Sequence, residues 1–243
     1  MKKVYFLLLH LRVGGIEICV LNVANALAER GYDVTLLCLL RDNELSRQVN
    51  NNVRVIYLTF FHSGGHSIIY KALRKFLSYL ALCVEIIKLR RSVIISTRNE
   101  YSILLSKFAG NDNLKIAQLH YDYVGRKGIK NDFKYGYKNI DYFVLLTDDM
   151  RTEVEAIMRE HNKHTKCVTI PNMFPHMGLP SFNVKRENMA LAVGRLAPEK
   201  GFLRLLDIWA IVHKKLGNGH KLYIVGDGVE KNKIQSRILE LGI

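Results

Sequence analysis

Between Val193 and Gly201 the chain runs VGRLAPEKG, and two of its side chains, Arg195 and Lys200, are cations on either side of a short turn. An amphipathic segment starts directly afterwards, so the turn feeds into a helix N-terminus. Such a terminus presents unpaired backbone N–H groups and a partial positive charge. Arg195 can grip two oxygens of an anion with its planar fork, and Lys200 adds a compact point charge. Gly194 and Gly201 let the backbone come close to a ligand, while Pro198 shapes the entry to the helix. Together they suit the binding of a diphosphate. A second glycine turn, Gly226-Asp227-Gly228, closes the next apolar run, KLYIV.

Other candidates are histidines. His120, in QLHYDY, stands at the end of an expected strand, where open parallel sheets gather their ligands; Asp122 follows it. His62 and His66 fall in the loop TFFHSGGHS, where a surface histidine without a role is the commoner outcome. No metal is expected, because no acidic D-x-D occurs. Cys19, Cys38, Cys83 and Cys167 show neither C-x-x-C spacing nor a histidine at ligand spacing, and they read as reduced, buried thiols of a cytoplasmic protein. In GDGVEK, Lys231 occupies the place of the third small residue of a dinucleotide fingerprint. Serine-hydrolase and P-loop patterns are absent.

The elements that must position these residues alternate between strand and helix, which predicts a parallel sheet covered on both faces. Strands are expected at 3–9, 33–40, 53–58, 92–96, 114–119, 141–146 and 166–170. Helices are expected at 16–30, 68–91, 101–109 and 148–161, with a polar loop at 121–130. Residues 171–187 hold three of the four prolines and read as a linker. A second unit then starts with a strand at 188–193, a helix at 202–215, a strand at 220–225 and a helix at 229–240. The predicted organisation is α/β with two Rossmann-like domains, 1–170 and 188–243. The net charge of +14 over 243 residues calls for an anionic partner, but it is spread along the whole chain, which argues against nucleic acid. MKKVYFLLLHL imitates a signal peptide, yet meets Arg12, Gly14 and Glu17 without a cleavage site, and is expected to be a buried strand.

VGRLAPEKG, the LLD-x-W-A helix and KLYIVGDGVEK resemble the family-4 retaining glycosyltransferases of GT-B fold. Gly14-Gly15 with Glu17, the AERGYDVTLL helix end and VTIPNMF extend the resemblance over essentially the whole chain. It implies that Arg195 and Lys200 contact the diphosphate of a nucleotide-sugar donor and that the Gly14-Gly15 loop approaches the donor from the first domain. Gly226 and Gly228 would lie beside the nucleotide, and His120 would face the sugar and acceptor. No metal or other cofactor is implied. The acceptor would be a saccharide or a lipid-linked sugar in cell-envelope or exopolysaccharide assembly, with domain closure about 171–187 excluding water. The family's Glu-x7-Glu motif would fall beyond Ile243, so 188–243 is expected to be a truncated donor domain. The alternative is an inactive remnant that binds donor or membrane.

Residues 71–91 have an apolar middle and basic ends. This helix either lies on an anionic membrane through Lys71, Arg74 and Lys75, with Phe76 and Tyr79 at the headgroups, or packs on the sheet with its cations snorkelling. The expected location is cytoplasmic, and in the first of these two cases peripheral on the inner face of the plasma membrane.

Overall fold

The computed structural model describes residues 2–45, 48–64, 67–120, 123, 126–173, 187–217 and 219–243. The chain divides into two units, Met1–Met177 and Gly178–Ile243.

Seven parallel strands form the sheet of the first unit: β1 (Lys3–Leu8), β2 (Asp33–Cys38), β3 (Val53–Tyr57), β4 (Val93–Ser96), β5 (Leu114–Gln118), β6 (Tyr142–Leu145) and β7 (Lys166–Thr169), in the order β3-β2-β1-β4-β5-β6-β7. Side chains alternate between faces, so each central strand serves two cores. From β1 and β2, Phe6, Leu8, Val34 and Leu36 enter one core with Val20, Leu21 and Ala24 of helix α1 (Gly15–Glu29). Leu7 and Leu37 enter the other, beneath α2 (Ile68–Lys88), α3 (Asn99–Phe108) and α5 (Asp148–Met158). Burial of each such side chain contributes about 1.5–3 kcal/mol. This two-sided burial is why the strands read as continuous apolar runs rather than alternating ones. α1 ends at Gly31, whose left-handed φ of 82° a side chain would oppose.

One element departs from expectation. The segment expected to be loop through residue 130 turns helical at α4 (Ile129–Asn131), which continues into a π-helical turn at Asp132–Gly136. Ile129, Phe133, Tyr137 and Ile140 are buried there against Phe143 of β6.

The sheet reverses direction between β1 and β4: the chain moves outward through β2 and β3, then returns to pair β4 with β1. At such a switch point the carboxyl ends of the strands open a crevice. Residues 9–14, 97–99 and 119–120 surround it. Pro171 to Met173, expected at the start of the linker, pack on this unit: Asn22 of α1 donates to the Met173 carbonyl at 3.2 Å. Residues 174–186 lie outside the described residues.

The second unit holds β8 (Met189–Val193) and β9 (Lys221–Val225), paired in parallel, with α6 (Phe202–Leu216) and α7 (Lys231–Leu241) packed together on one face. Leu196, Phe202, Leu206 and Ile234 form its small core. Across the other face, Leu191 pairs with Tyr223 and Val193 with Val225, and all four are exposed.

Candidate functional site

The VGRLAPEKG turn forms a cradle. After β8 the chain makes one 3-10 turn (Pro198–Lys200), and Gly201 then adopts φ 69°, ψ 27° as the N-cap of α6. That left-handed cap explains the glycine. The Lys200 and Gly201 amides are spent inside the turn, on the carbonyls of Ala197 and Pro198. The first amides of α6 are the ones that open outward. A depression of about 480 Å³ lies over them, lined by Pro198, Glu199, Lys200, Gly201, Arg204 and Glu230 among others. Arg204, one helical turn beyond Lys200, adds a cation that the sequence motif did not flag. Neither Lys200 nor Arg204 has an ion-pair partner among the described residues. Arg195 does: its guanidinium donates to Glu199 at 2.5 Å, and both side chains are largely exposed. That guanidinium holds the Glu199 carboxyl below its ordinary range, after a larger effect from backbone hydrogen bonding.

Gly226 and Gly228 have a steric task. A β-carbon on Gly226 would overlap the Gly194 carbonyl oxygen, and one on Gly228 would overlap the Leu196 carbonyl oxygen. The two turns are laced at this contact. The Gly194 amide donates to Val225 at 3.0 Å, Leu196 to Asp227 at 2.9 Å and Glu230 to Leu196 at 3.0 Å. The second glycine turn therefore holds the Arg195 loop in place from behind.

In the first unit, Gly14 caps α1 and Gly15 opens it. A β-carbon on Gly14 would overlap the carboxylate of Glu17, whereas one on Gly15 would meet nothing. Glu17 folds back over its own helix N-terminus, where a carboxylate is favoured, and is buried. Gly14 thus makes room for Glu17. His10, just past β1, lies 3.6 Å from Glu17, and its Nδ1 accepts the Arg12 amide at 3.4 Å. An imidazole accepting at Nδ1 is neutral. In agreement, burial pushes the His10 pKa down, Glu17 opposing and Arg98 assisting. His10 and Arg98 were not singled out in the sequence, and no motif marks either.

His120 follows β5 and is held at both ring nitrogens. Nδ1 faces the Asn172 Oδ1 at 3.3 Å, and Nε2 faces the Gln118 Oε1 at 3.2 Å. Burial lowers its pKa, while the Asn172 contact and Glu17 pull the other way. A small cavity of about 40 Å³ adjoins it, lined by Cys19, Val23, Leu146 and Pro171 among others. His62 is exposed; His66 and Asp122 lie outside the described residues.

The basic helix differs from expectation in two side chains. Arg74 donates to the carbonyls of His62 (2.6 Å) and Gly64 (3.1 Å), which ties its guanidinium to the loop before α2. Tyr79 packs edge-on against Tyr101, with centroids 6.1 Å apart. Both are thus engaged within the protein. Phe76 is 65% exposed. No described helix is long and apolar enough to cross a membrane, and no cluster of three metal-ligating side chains occurs among the described residues.

Residues 13–175 match Glycosyltransferase Family 4, and residues 180–243 match Glycosyl transferases group 1. This chain belongs to glycosyltransferase family 4. An uncharacterized glycosyltransferase of Haemophilus influenzae (strain ATCC 51907 / DSM 11121 / KW20 / Rd) is 28% identical over 251 residues, covering 100% of this chain and 67% of that protein. From Campylobacter jejuni subsp. jejuni serotype O:2, the "GalNAc-alpha-(1->4)-GalNAc-alpha-(1->3)-diNAcBac-PP-undecaprenol alpha-1,4-N-acetyl-D-galactosaminyltransferase" is 22% identical over 244 residues, covering 100% of this chain and 66% of that protein. The chain thus spans about two thirds of the length of these curated relatives. Among solved structures, a variant of S. aureus TarM in complex with fondaparinux, alpha-GlcNAc-glycerol and UDP superposes with a TM-score of 0.73 at 12% identity, covering 100% of this chain and 76% of that one. Likeness at that identity concerns the fold, which is that of the GT-B glycosyltransferases.

Proposed function

We propose that this family-4 glycosyltransferase takes its sugar from a nucleotide diphosphate donor whose diphosphate sits on the α6 N-terminus, and transfers it with retention of anomeric configuration. The observation that carries this reading is the cradle itself, with Lys200, Arg204 and the open amides of α6 around one depression. When the bond between the anomeric carbon and the phosphate oxygen breaks, the electron pair stays on the diphosphate. Fixed cations stabilise that growing charge without reorganising, and they fill the place of a metal ion. The acceptor hydroxyl oxygen forms the new bond to the anomeric carbon, and its proton passes to the departing diphosphate oxygen. The UDP bound in the TarM complex supports a nucleotide diphosphate. The test is a panel of nucleotide sugars incubated with the 1–243 chain. We expect saturable diphosphate-competitive binding, with sugar release or transfer. Binding without any turnover would favour the alternative, a donor-binding remnant.

The acceptor reading is a lipid-linked saccharide reached at an anionic membrane surface of the cytoplasmic side, in cell-envelope or exopolysaccharide assembly. Its support is the outer face of α2. Ile69, Leu73, Phe76, Leu80, Val84 and Ile87 recur at intervals of three and four, and all are exposed. They form a stripe opposite the buried Ser78, Leu82 and Ile86. Because the chain enters α2 from the carboxyl end of β3, the helix starts at the same end of the sheet as His120. Lys71 and Lys75 remain available to anionic headgroups, whereas Lys88 pairs with Glu85 at 3.6 Å. The undecaprenol in the name of the Campylobacter relative agrees with a lipid carrier. Vesicles of anionic lipid should bind the protein, and Phe76→Glu with Leu80→Glu should cut that binding by about tenfold or more. Equal binding of the double variant would remove α2 from the membrane contact.

A further inference from the structure

We infer that Asn172 and Gln118 are positioning residues for His120, with Asn172 holding the imidazole in the Nδ1–H form and leaving Nε2 as the nitrogen that meets substrate. The inference takes up the expectation that His120 faces the sugar and acceptor in the proposed transfer, but its geometry stands apart from that reading.

Both ring nitrogens face amide oxygens, at 3.3 Å from Asn172 and 3.2 Å from Gln118. An imidazolium, with two N–H donors, satisfies both at once. A neutral ring satisfies only one, so one amide must turn its NH2 group inward by half a rotation. Either charge state is therefore fully hydrogen-bonded without moving the ring. Burial favours the neutral ring, and Glu17 is the charged group that opposes it.

The two amides differ in their anchorage. Neither side chain has a second hydrogen-bond partner among the described residues, but Gln118, the last residue of β5, reaches the ring through three side-chain torsions and Asn172 through two. Asn172 lies in a stretch tied down on either side. The Ile170 amide donates to Leu145 at 2.9 Å, and the Met173 carbonyl accepts from Asn22 at 3.2 Å. The better-fixed amide is the better orienter. Retaining its oxygen toward Nδ1 selects the Nδ1–H form, and the longer Gln118 side chain can swing aside and yield Nε2 to an incoming hydroxyl. This is the usual division of labour around a working histidine, where the bond at one nitrogen decides what the other can do.

Nitrogen-15 NMR of His120 in the full 1–243 chain tests the assignment. In the wild type the neutral ring should be in the Nδ1–H form. Asn172→Ala should mix the two neutral forms, and Asn172→Asp should raise the His120 pKa by about one unit or more, since a carboxylate favours the imidazolium. Gln118→Ala should keep the Nδ1–H form. In a transfer assay, Asn172→Ala should lower kcat by about tenfold or more while changing the donor KM by less than about twofold. Unaltered ring nitrogens in Asn172→Ala, or an unmoved pKa in Asn172→Asp, would overturn the proposal. Altered ring nitrogens with unaltered turnover would uphold the clamp and exclude His120 from the chemistry.

Discussion

Lys200→Ala is expected to weaken nucleotide-diphosphate binding by roughly 10–100-fold, the equivalent of losing one charge-assisted contact of about 1.5–3 kcal/mol. Lys200 stands at the rim of the depression with no carboxylate paired to it among the described residues, so its charge is uncommitted. Arg195 is a different case. It already holds Glu199, in an exposed, solvent-screened pair that is weak but still has to be broken. A diphosphate has to draw Arg195 away from that carboxylate. Arg195→Ala should therefore cost less than Lys200→Ala, and Glu199→Gln should strengthen binding by a few-fold. Calorimetric titration of a nucleoside diphosphate into the three variants checks all of this. Unchanged affinity in both Lys200→Ala and Arg195→Ala would sink the site assignment.

Gly228→Ala is expected to destabilise the second unit by about 3 kcal/mol or more, with or without ligand. The new methyl group would run into the backbone of Leu196, and no flexible side chain is there to give way. A domain of this size has a total stability of only several kcal/mol. The same substitution at Gly15, with open space around it, should leave stability within about 1 kcal/mol of the wild type. Urea titration combined with amide exchange at Leu196 and Glu230 measures both. If Gly228→Ala melts normally and loses only diphosphate affinity, the glycine serves the ligand and not the packing of the two turns.

Much of the fold is legible in the sequence because parallel strands buried on both faces are unbroken apolar runs. VYFLL in β1 and VTLLC in β2 admit little else. The turn at 129–136 is legible only in hindsight. Its buried residues, Ile129, Phe133, Tyr137 and Ile140, are helically spaced, but the polar residues before them dominate the window. The cradle is legible because glycine, arginine and lysine occur there in a fixed pattern. Arg204 is not part of that pattern; it joins the cradle only because a helix returns to the same face after one turn. His10 sits inside an apolar run that ends sooner than its composition suggests. The orientation of Arg74 could not be read either, since α2 is apolar on two faces and periodicity alone does not say which one the sheet takes.

The bare face of β8 and β9 has a consequence for how this protein behaves in the tube. Leu191, Val193, Tyr223 and Val225 make the second unit an amphiphile, one side clad in helices and the other open to any apolar surface. What keeps such particles apart is mutual repulsion, and the chain's +14 supplies it. Dissolved salt shortens the reach of that repulsion to about 10 Å at 0.1 M, while sulfate and phosphate strengthen apolar association. The anions that mimic the diphosphate are thus also the ones that precipitate its holder, so dilute chloride is the gentler medium for working with this chain.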